Sequence, residues 1–245
     1  MHRMRCSIRP FLYLAVALTS LLGVSFAQAK ACKKPIYLTF DTGNMAVAET
    51  VAAILNRQQV KATFFLANEK TYRGDYALDD GWKSFWQERV KEGHRFGSHT
   101  YDHVYFVKDT PANSSSDTRV QMRPQFGADA NQVKSMNGAE VCAEINRVNT
   151  RFQELSNRPL DPIWRAAGGK TSPRLIAMAE QCGYRHIGWT PVGFLGDELS
   201  SEKFPNHVLL EKAARSVKPG DITMAHLGIW SRKDAWAPAV LELSL

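Results

Sequence analysis

The sequence predicts an α/β fold in which a parallel sheet or barrel is wrapped by helices. Three observations point there. Short β-branched and aromatic runs alternate with segments of helical apolar spacing from residue 30 onward. The helical segments are long enough to cross over between parallel strands. No Gly/Ser-rich linker or internal repeat divides the chain, so one domain is expected.

The elements follow in order. Residues 36–41 form a β-branched and aromatic run that ends in a turn at Gly43, and residues 46–55 place Val47, Val51, Ile54 and Leu55 at helical spacing. A second strand is predicted over 61–66, a second helix over 82–90 and a third strand over 95–98. Residues 104–137 show no clean period and carry Pro111, a Ser tract at 114–116, Pro124 and Gly127, which predicts a long functional or mobile surface loop. Helical spacing resumes over 139–155, where Val141, Ile145, Val148 and Phe152 share a face. A strand at 162–165 follows, then a helix started by Ser172-Pro173 in the cap-then-Pro form. Strands at 184–189 and 221–226, with a helix at 207–217 between them, complete the alternation.

Composition narrows the class. Of 245 residues, 44% are hydrophobic and 22% charged, which excludes bulk disorder and collagen-like or coiled-coil chains. The formal charge is +7, but Arg3, Arg5 and Arg9 stand in an acid-free leader. Residues 30–245 keep 28 bases against 24 acids, a charge of +4 with no Lys/Arg block. That gives a nucleic-acid partner little to bind.

The N-terminus reads as a secretory signal over residues 1–29, leaving a domain over 30–245. The three arginines precede a 14-residue apolar core at 11–24, and Ala27-Gln28-Ala29 supplies the small residues that place cleavage before Lys30. An apolar core that short does not span a bilayer of about 30 Å comfortably. A secreted or periplasmic protein without stable membrane insertion is expected. Cys6 leaves with the leader, and Cys32, Cys142 and Cys182 allow one disulfide and one orphan. A Cys142–Cys182 pair is expected, with small buried thiols as the alternative.

In α/β sheets and barrels the active site gathers at the C-terminal ends of the strands. Asp41, His99 with His103, Arg165, Trp189 and His226 all fall at such ends. His99 and His103 are four apart, one helical turn, so both rings can face one point. Two His plus an oxygen donor and an open water position is a catalytic zinc arrangement. Taken alone, the His pair is a weak signal, because surface His pairs are common, and an Asp in the position of Asp41 is often just a helix cap.

The run Thr39-Phe40-Asp41-Thr42-Gly43, followed by His99-Thr100-Tyr101-Asp102-His103, Trp164-Arg165-Ala166-Ala167-Gly168-Gly169 and Met224-Ala225-His226, resembles the NodB-type polysaccharide deacetylases, carbohydrate esterase family four. The resemblance spans about residues 35–236. It implies a distorted (β/α) barrel of about seven parallel strands. It also implies removal of acetyl groups from N- or O-acetylated carbohydrate with one divalent metal ion, zinc being the expected one. By position it makes Asp41 the general base, His99 and His103 the metal ligands, and Thr100 the brace of their loop. Arg165 would orient the base, and the Gly168 N–H would serve the oxyanion. Met224 would line the acetyl-methyl pocket, Trp189 would wall the site, and His226 would be the general acid, with Asp197 the nearest candidate for its partner.

Two departures stand out. The family's first motif usually carries a second aspartate that binds the metal, and here that position is Thr42, a poorer ligand for a divalent ion. Three arrangements are compatible: two histidines plus waters hold zinc weakly, Asp41 swings in as ligand, or the site is metal-free and inactive. Asn44 is a further oxygen donor. The chain also leaves little room after residue 240 for the usual closing helix and strand, so a barrel incomplete at the C-terminus is expected. A catalytically silent carbohydrate-binding relic and a hydrolase of a non-sugar amide are the rival readings.

Overall fold

The computed structural model describes residues 35–111 and 118–234. The leader, Cys32 and the C-terminal end, where an incomplete barrel is expected, lie outside the described residues.

The apolar spacing places the first half of the barrel. Strand β1 (Thr39–Asp41) is followed by helix α1 (Ala48–Arg57), which buries Val51, Ile54 and Leu55. Strand β2 (Thr63–Leu66) leads through a 3-10 turn at Asp80–Trp82 into α2 (Lys83–Lys91), which buries Phe85 and Trp86. Strand β3 (Arg95–Ser98) follows. Alternation along β2 sends neighbouring aromatics to opposite faces. Phe64 stacks between Phe40 and Phe96 at 5.8 Å on each side, in the main core beneath α1 and α2. Phe65 instead packs against the Arg165 guanidinium, 4.1 Å from its ring centre.

Residues 104–137 are not a loop, as their lack of period suggested. Strands β4 (Val104–Asp109), β5 (Arg119–Pro124) and β6 (Lys134–Asn137) form an antiparallel three-stranded sheet in that order. Val104, Phe106, Val120, Met122 and Met136 turn inward into a second core shared with Trp164 and Leu175. The signal is a two-residue alternation of apolar and polar side chains, spread over three short runs and interrupted by polar turns.

The second half returns to parallel order. Helix α3 (Gly138–Ser156) starts on a capping box: Glu140 N–H donates to the Asn137 side chain at 3.0 Å, and Asn137 N–H donates to the Glu140 carboxylate at 2.7 Å. Strand β7 (Ile163–Trp164) precedes α4 (Pro173–Gln181), where Ser172 caps the Leu175 N–H and Pro173 occupies the first turn. Strand β8 (Arg185–His186), helix α5 (Asn206–Ser216) and strand β9 (Ala225–His226) follow. Cys142 on α3 is bonded to Cys182 at the end of α4, as the sequence predicts.

Six strands lie in one sheet in the order β8-β7-β3-β2-β1-β9, every pair parallel. A parallel bridge between Phe194 and Met224 adds a seventh position beside β9. This is the irregular α/β barrel that the sequence predicts, with the C-terminal ends of its strands on one rim.

Candidate active site

Register brings the rim residues together. Asp41 ends β1 directly opposite His226 of β9. His99 follows the last residue of β3, and Ser98 there pairs with Trp164, so Arg165 is next along β7. Asp41, His99, His103, Gly168, Trp189, Met224 and His226 all line one cleft of about 650 Å³. Arg165, fully buried, lies behind Asp41 rather than on the cleft surface.

The Arg165 guanidinium is held on several sides. Nη1 donates to Asp41 Oδ1 at 2.8 Å, Nη2 to Thr39 Oγ1 at 2.8 Å, Nε to the Ile187 carbonyl at 3.1 Å, and Nη2 again to the Gly188 carbonyl at 3.2 Å. Burial pushes the Asp41 carboxyl up, but Arg165, His99 and His226 outweigh it and hold the group below the usual carboxylate range. Asp41 is therefore ionised at neutral pH, with one oxygen fixed and Oδ2 turned toward His99 Nε2 at 3.5 Å.

The two histidines converge through a tight loop, not through the helical turn that their spacing suggested. Thr100 and His103 take left-handed backbone angles, φ +64° and +47°. Such angles in non-glycine residues cluster at functional sites. The Thr100 hydroxyl donates to the His99 carbonyl and accepts the Val104 N–H at 2.7 Å, bracing the loop. The rings meet edge to face, 4.8 Å between centres.

Each ring is oriented from behind. His99 Nδ1 faces the Arg165 carbonyl at 3.0 Å, and His103 Nδ1 faces Gln125 Oε1 at 2.7 Å. Both partners only accept, so both Nδ1 atoms carry the proton. In a neutral ring Nε2 is then an open lone pair. Burial pushes His99 down to about 4, so that ring is neutral at pH 7. Gln125 also takes the Tyr105 hydroxyl at 3.0 Å and comes from the segment after β5, the region without a visible period.

His226 is set up in the opposite sense. Both its Nδ1 and its backbone N–H meet Asp197 Oδ2, at 3.0 and 2.5 Å. Burial alone would lower the imidazole pKa, but Asp197, with Asp41 and Glu198, holds it up to about 10. A protonated Nε2 follows, 3.7 Å from Glu198 Oε1. Gly168 bends with φ +64° against the Tyr105 ring, and the Trp189 ring packs on Gly169.

Thr42 does not face the cleft as a ligand. Its hydroxyl donates to Glu69 Oε1 at 2.6 Å and accepts the Ala67 N–H at 3.1 Å. Asn44 Oδ1 is likewise taken, by the Ala46 N–H at 3.0 Å. Glu69, which does line the cleft, is the functional candidate that the sequence reading missed. Burial raises its carboxyl pKa, but His103, the Thr42 hydroxyl and the other two histidines bring it below the usual range. It stands three residues past the end of β2, on the same rim, and that position is the signal that marks it. Glu198 and Gln125 were missed as well.

Among the described residues no three His, Cys, Asp or Glu side chains stand ready as a metal cluster. The donor set nevertheless fits a divalent ion in kind. Two imidazoles with Nδ1 tied down, beside ionised carboxylates, are the outer-shell arrangement that metal-binding histidines keep.

Comparison with known proteins identifies the family. Residues 28–187, more than half of the chain, match the family described as polysaccharide deacetylase. A peptidoglycan-N-acetylglucosamine deacetylase of Bacillus cereus is 25% identical over 201 residues, 80% of this chain and 74% of that one. A chitooligosaccharide deacetylase of Azorhizobium caulinodans is 23% identical over 210 residues, 85% and 80% of the two chains. Among solved structures, a carbohydrate esterase family four pseudoenzyme from Bacillus anthracis superposes with a TM-score of 0.58 at 18% identity, which shows a shared fold. The superposition covers 86% of this chain but only 61% of that one. With the rim motifs, the barrel and the family match in agreement, the chain belongs to the polysaccharide deacetylase family.

Proposed function

We propose that this protein is an exported hydrolase that removes acetyl groups from an N- or O-acetylated carbohydrate, with one divalent ion, zinc by expectation. The observation that carries the reading is the opposed protonation of two groups across β1 and β9. Asp41 is held ionised and His226 is held protonated, both on one cleft. Acyl transfer from an amide or ester needs that pair, a base for the attacking water and an acid for the leaving group.

His99 and His103, with a carboxylate, would hold the ion. When bound, it lowers the pKa of a water and polarises the acetyl carbonyl. Asp41 Oδ2 takes one proton as the water oxygen bonds to the carbonyl carbon. Arg165 fixes the other Asp41 oxygen and keeps the carboxylate ionised between turnovers. As the C–N or C–O bond breaks, its electron pair stays on the leaving nitrogen or oxygen. His226 Nε2 protonates that atom, while Asp197 keeps the ring oriented through Nδ1. Acetate and the free amine or hydroxyl are the products. Gly168 is the candidate backbone donor to the oxyanion, worth about 2.7–4 kcal/mol in comparable sites. Met224 and Trp189 shape the acetyl side of the cleft.

Export is supported by the leader pattern at 1–29 and by the Cys142–Cys182 bond, which belongs to oxidising compartments. The test is acetate release by the purified protein from N-acetylglucosamine oligomers and from acetylated xylan, with zinc present. Asp41→Asn and His226→Gln should each lower turnover at least about 100-fold. Binding of either glycan without acetate release would instead favour the silent relic, the alternative that Thr42 keeps open.

A further inference from the structure

Two buried carboxylates line the cleft with the paired imidazoles, and they differ in what balances their charge. Asp41 is joined to the Arg165 guanidinium. Glu69 is only 8% exposed and has no Arg or Lys partner among the described residues. Its Oε1 accepts the Thr42 hydroxyl at 2.6 Å and the Gly43 N–H at 2.8 Å, and Oε2 has no protein donor there. A buried carboxylate without a cation is costly, and a neighbouring cation removes that cost.

The backbone that carries Glu69 is pinned at three successive residues. Ala67 N–H donates to Thr42 Oγ1 at 3.1 Å, Asn68 N–H to the Tyr101 carbonyl at 2.8 Å, and Ala77 N–H to the Glu69 carbonyl at 2.9 Å. Tyr101 belongs to the His99–His103 loop, so the carboxylate and the imidazoles are tied to one scaffold.

We propose that Glu69 supplies the carboxylate ligand of this site, with His99 and His103. Thr42 then orients Glu69 instead of binding the ion itself. The inference rests on the reading above that the site works with a divalent ion. It leaves Asp41 free as the base, and it puts the carboxylate missing from position 42 on the neighbouring strand end, 27 residues along the chain. Under this assignment Thr42→Asp alone does not strengthen the site. With Glu69 present, that change sets two carboxylates against each other and removes the hydroxyl that holds one of them.

The test reads metal affinity, not activity. Zinc binding is measured by competition with a chromophoric chelator for the full chain and for Glu69→Gln, Asp41→Asn and Thr42→Asp/Glu69→Gln. Folding is checked by melting temperature without zinc. Gln keeps the oxygen that accepts from Thr42 and Gly43, so the fold is expected to survive. Glu69→Gln should bind zinc at least tenfold more weakly, Asp41→Asn should lose clearly less, and the double variant should regain most of the loss. The regain separates a ligand from a structural prop, because only a replaced carboxylate restores binding. It also decides the matter if Glu69→Gln alone folds poorly. Glu69→Gln within threefold of the parent overturns the role of Glu69 and leaves the metal reading standing. An equal loss in Asp41→Asn, or a folded double variant that regains nothing, also overturns it. No zinc binding by the parent chain overturns the metal reading itself.

Discussion

Arg165 and Asp41 form a buried pair whose removal can be worked out from the contacts. Arg165→Met keeps most of the side-chain stem against Phe65 but deletes four hydrogen bonds, to Asp41, Thr39, Ile187 and Gly188. Stranding a buried charge by removing its partner costs about 3–5 kcal/mol. The three neutral acceptors add up to about 1 kcal/mol each where water does not replace the guanidinium. Against a total stability of about 5–15 kcal/mol, Arg165→Met is expected near the margin of folding. Asp41→Asn leaves an oxygen for Nη1 but strands the buried guanidinium in its turn, so it too should cost about 3–5 kcal/mol, toward the lower end because three neutral acceptors remain. The double variant should be more stable than the sum of the two losses allows, by about 2 kcal/mol or more, since no charge is left stranded. Urea unfolding at pH 7 of the four proteins measures this. Acidification provides a second reading. Asp41 is depressed below its ordinary value of 3.8, so the stability it contributes is complete above that value and is lost as pH falls through the folded pKa. In Arg165→Met burial acts with much less opposition, the carboxyl protonates at higher pH, and the deficit relative to the parent should shrink toward acid. Additive losses within about 0.5 kcal/mol, or a deficit that grows toward acid, would refute the coupling.

Two further outcomes are expected. Asp197→Asn removes the main charge that holds His226 up to about 10, so the alkaline limb of kcat/KM should move down by at least one pH unit. The stability that His226 protonation contributes is complete below its ordinary value of 6.5 and fades as pH rises toward about 10, so the variant should be weakened most at and below neutral pH. An unmoved alkaline limb would remove His226 from the role of acid. Changing Cys142 and Cys182 together to Ser opens a crosslink between residues 40 apart and should cost about 4 kcal/mol at most by the loop-entropy relation. An unchanged urea midpoint would show that the bond contributes nothing.

What the sequence made legible followed from local periodicity. Helices α1 and α3 could be placed by their apolar spacing, and Ser172-Pro173 marked the start of α4. Asp41, His99, Arg165 and His226 could be picked out because each sits at or just past a strand end, a position visible in one dimension. The antiparallel sheet escaped because its alternation is divided among three short strands, and the partner of each lies across a turn. Gln125 was lost with it. Glu69 is hidden for a different reason: it lies 27 residues from Thr42, and nothing in one dimension relates the two. Glu69 stands three residues past the end of β2, and β2 is adjacent to β1 only through sheet register. The His99–His103 spacing gave the right convergence for the wrong local reason, since two left-handed residues do what a helical turn was expected to do.

The two apolar cores give the cleft walls of unequal resilience. The larger core lies under α1 and α2 and supports the strands that carry Asp41 and Glu69. The smaller one joins the antiparallel sheet to α3 and α4, the two helices fastened by Cys142–Cys182. Gln125, which fixes the tautomer of His103, hangs from that smaller body. Reducing the bond therefore loosens one wall ahead of the other, in the manner of a separate cooperative unit. In a reducing environment the fold would keep its ionised carboxylates in place while His103 lost its fixed orientation.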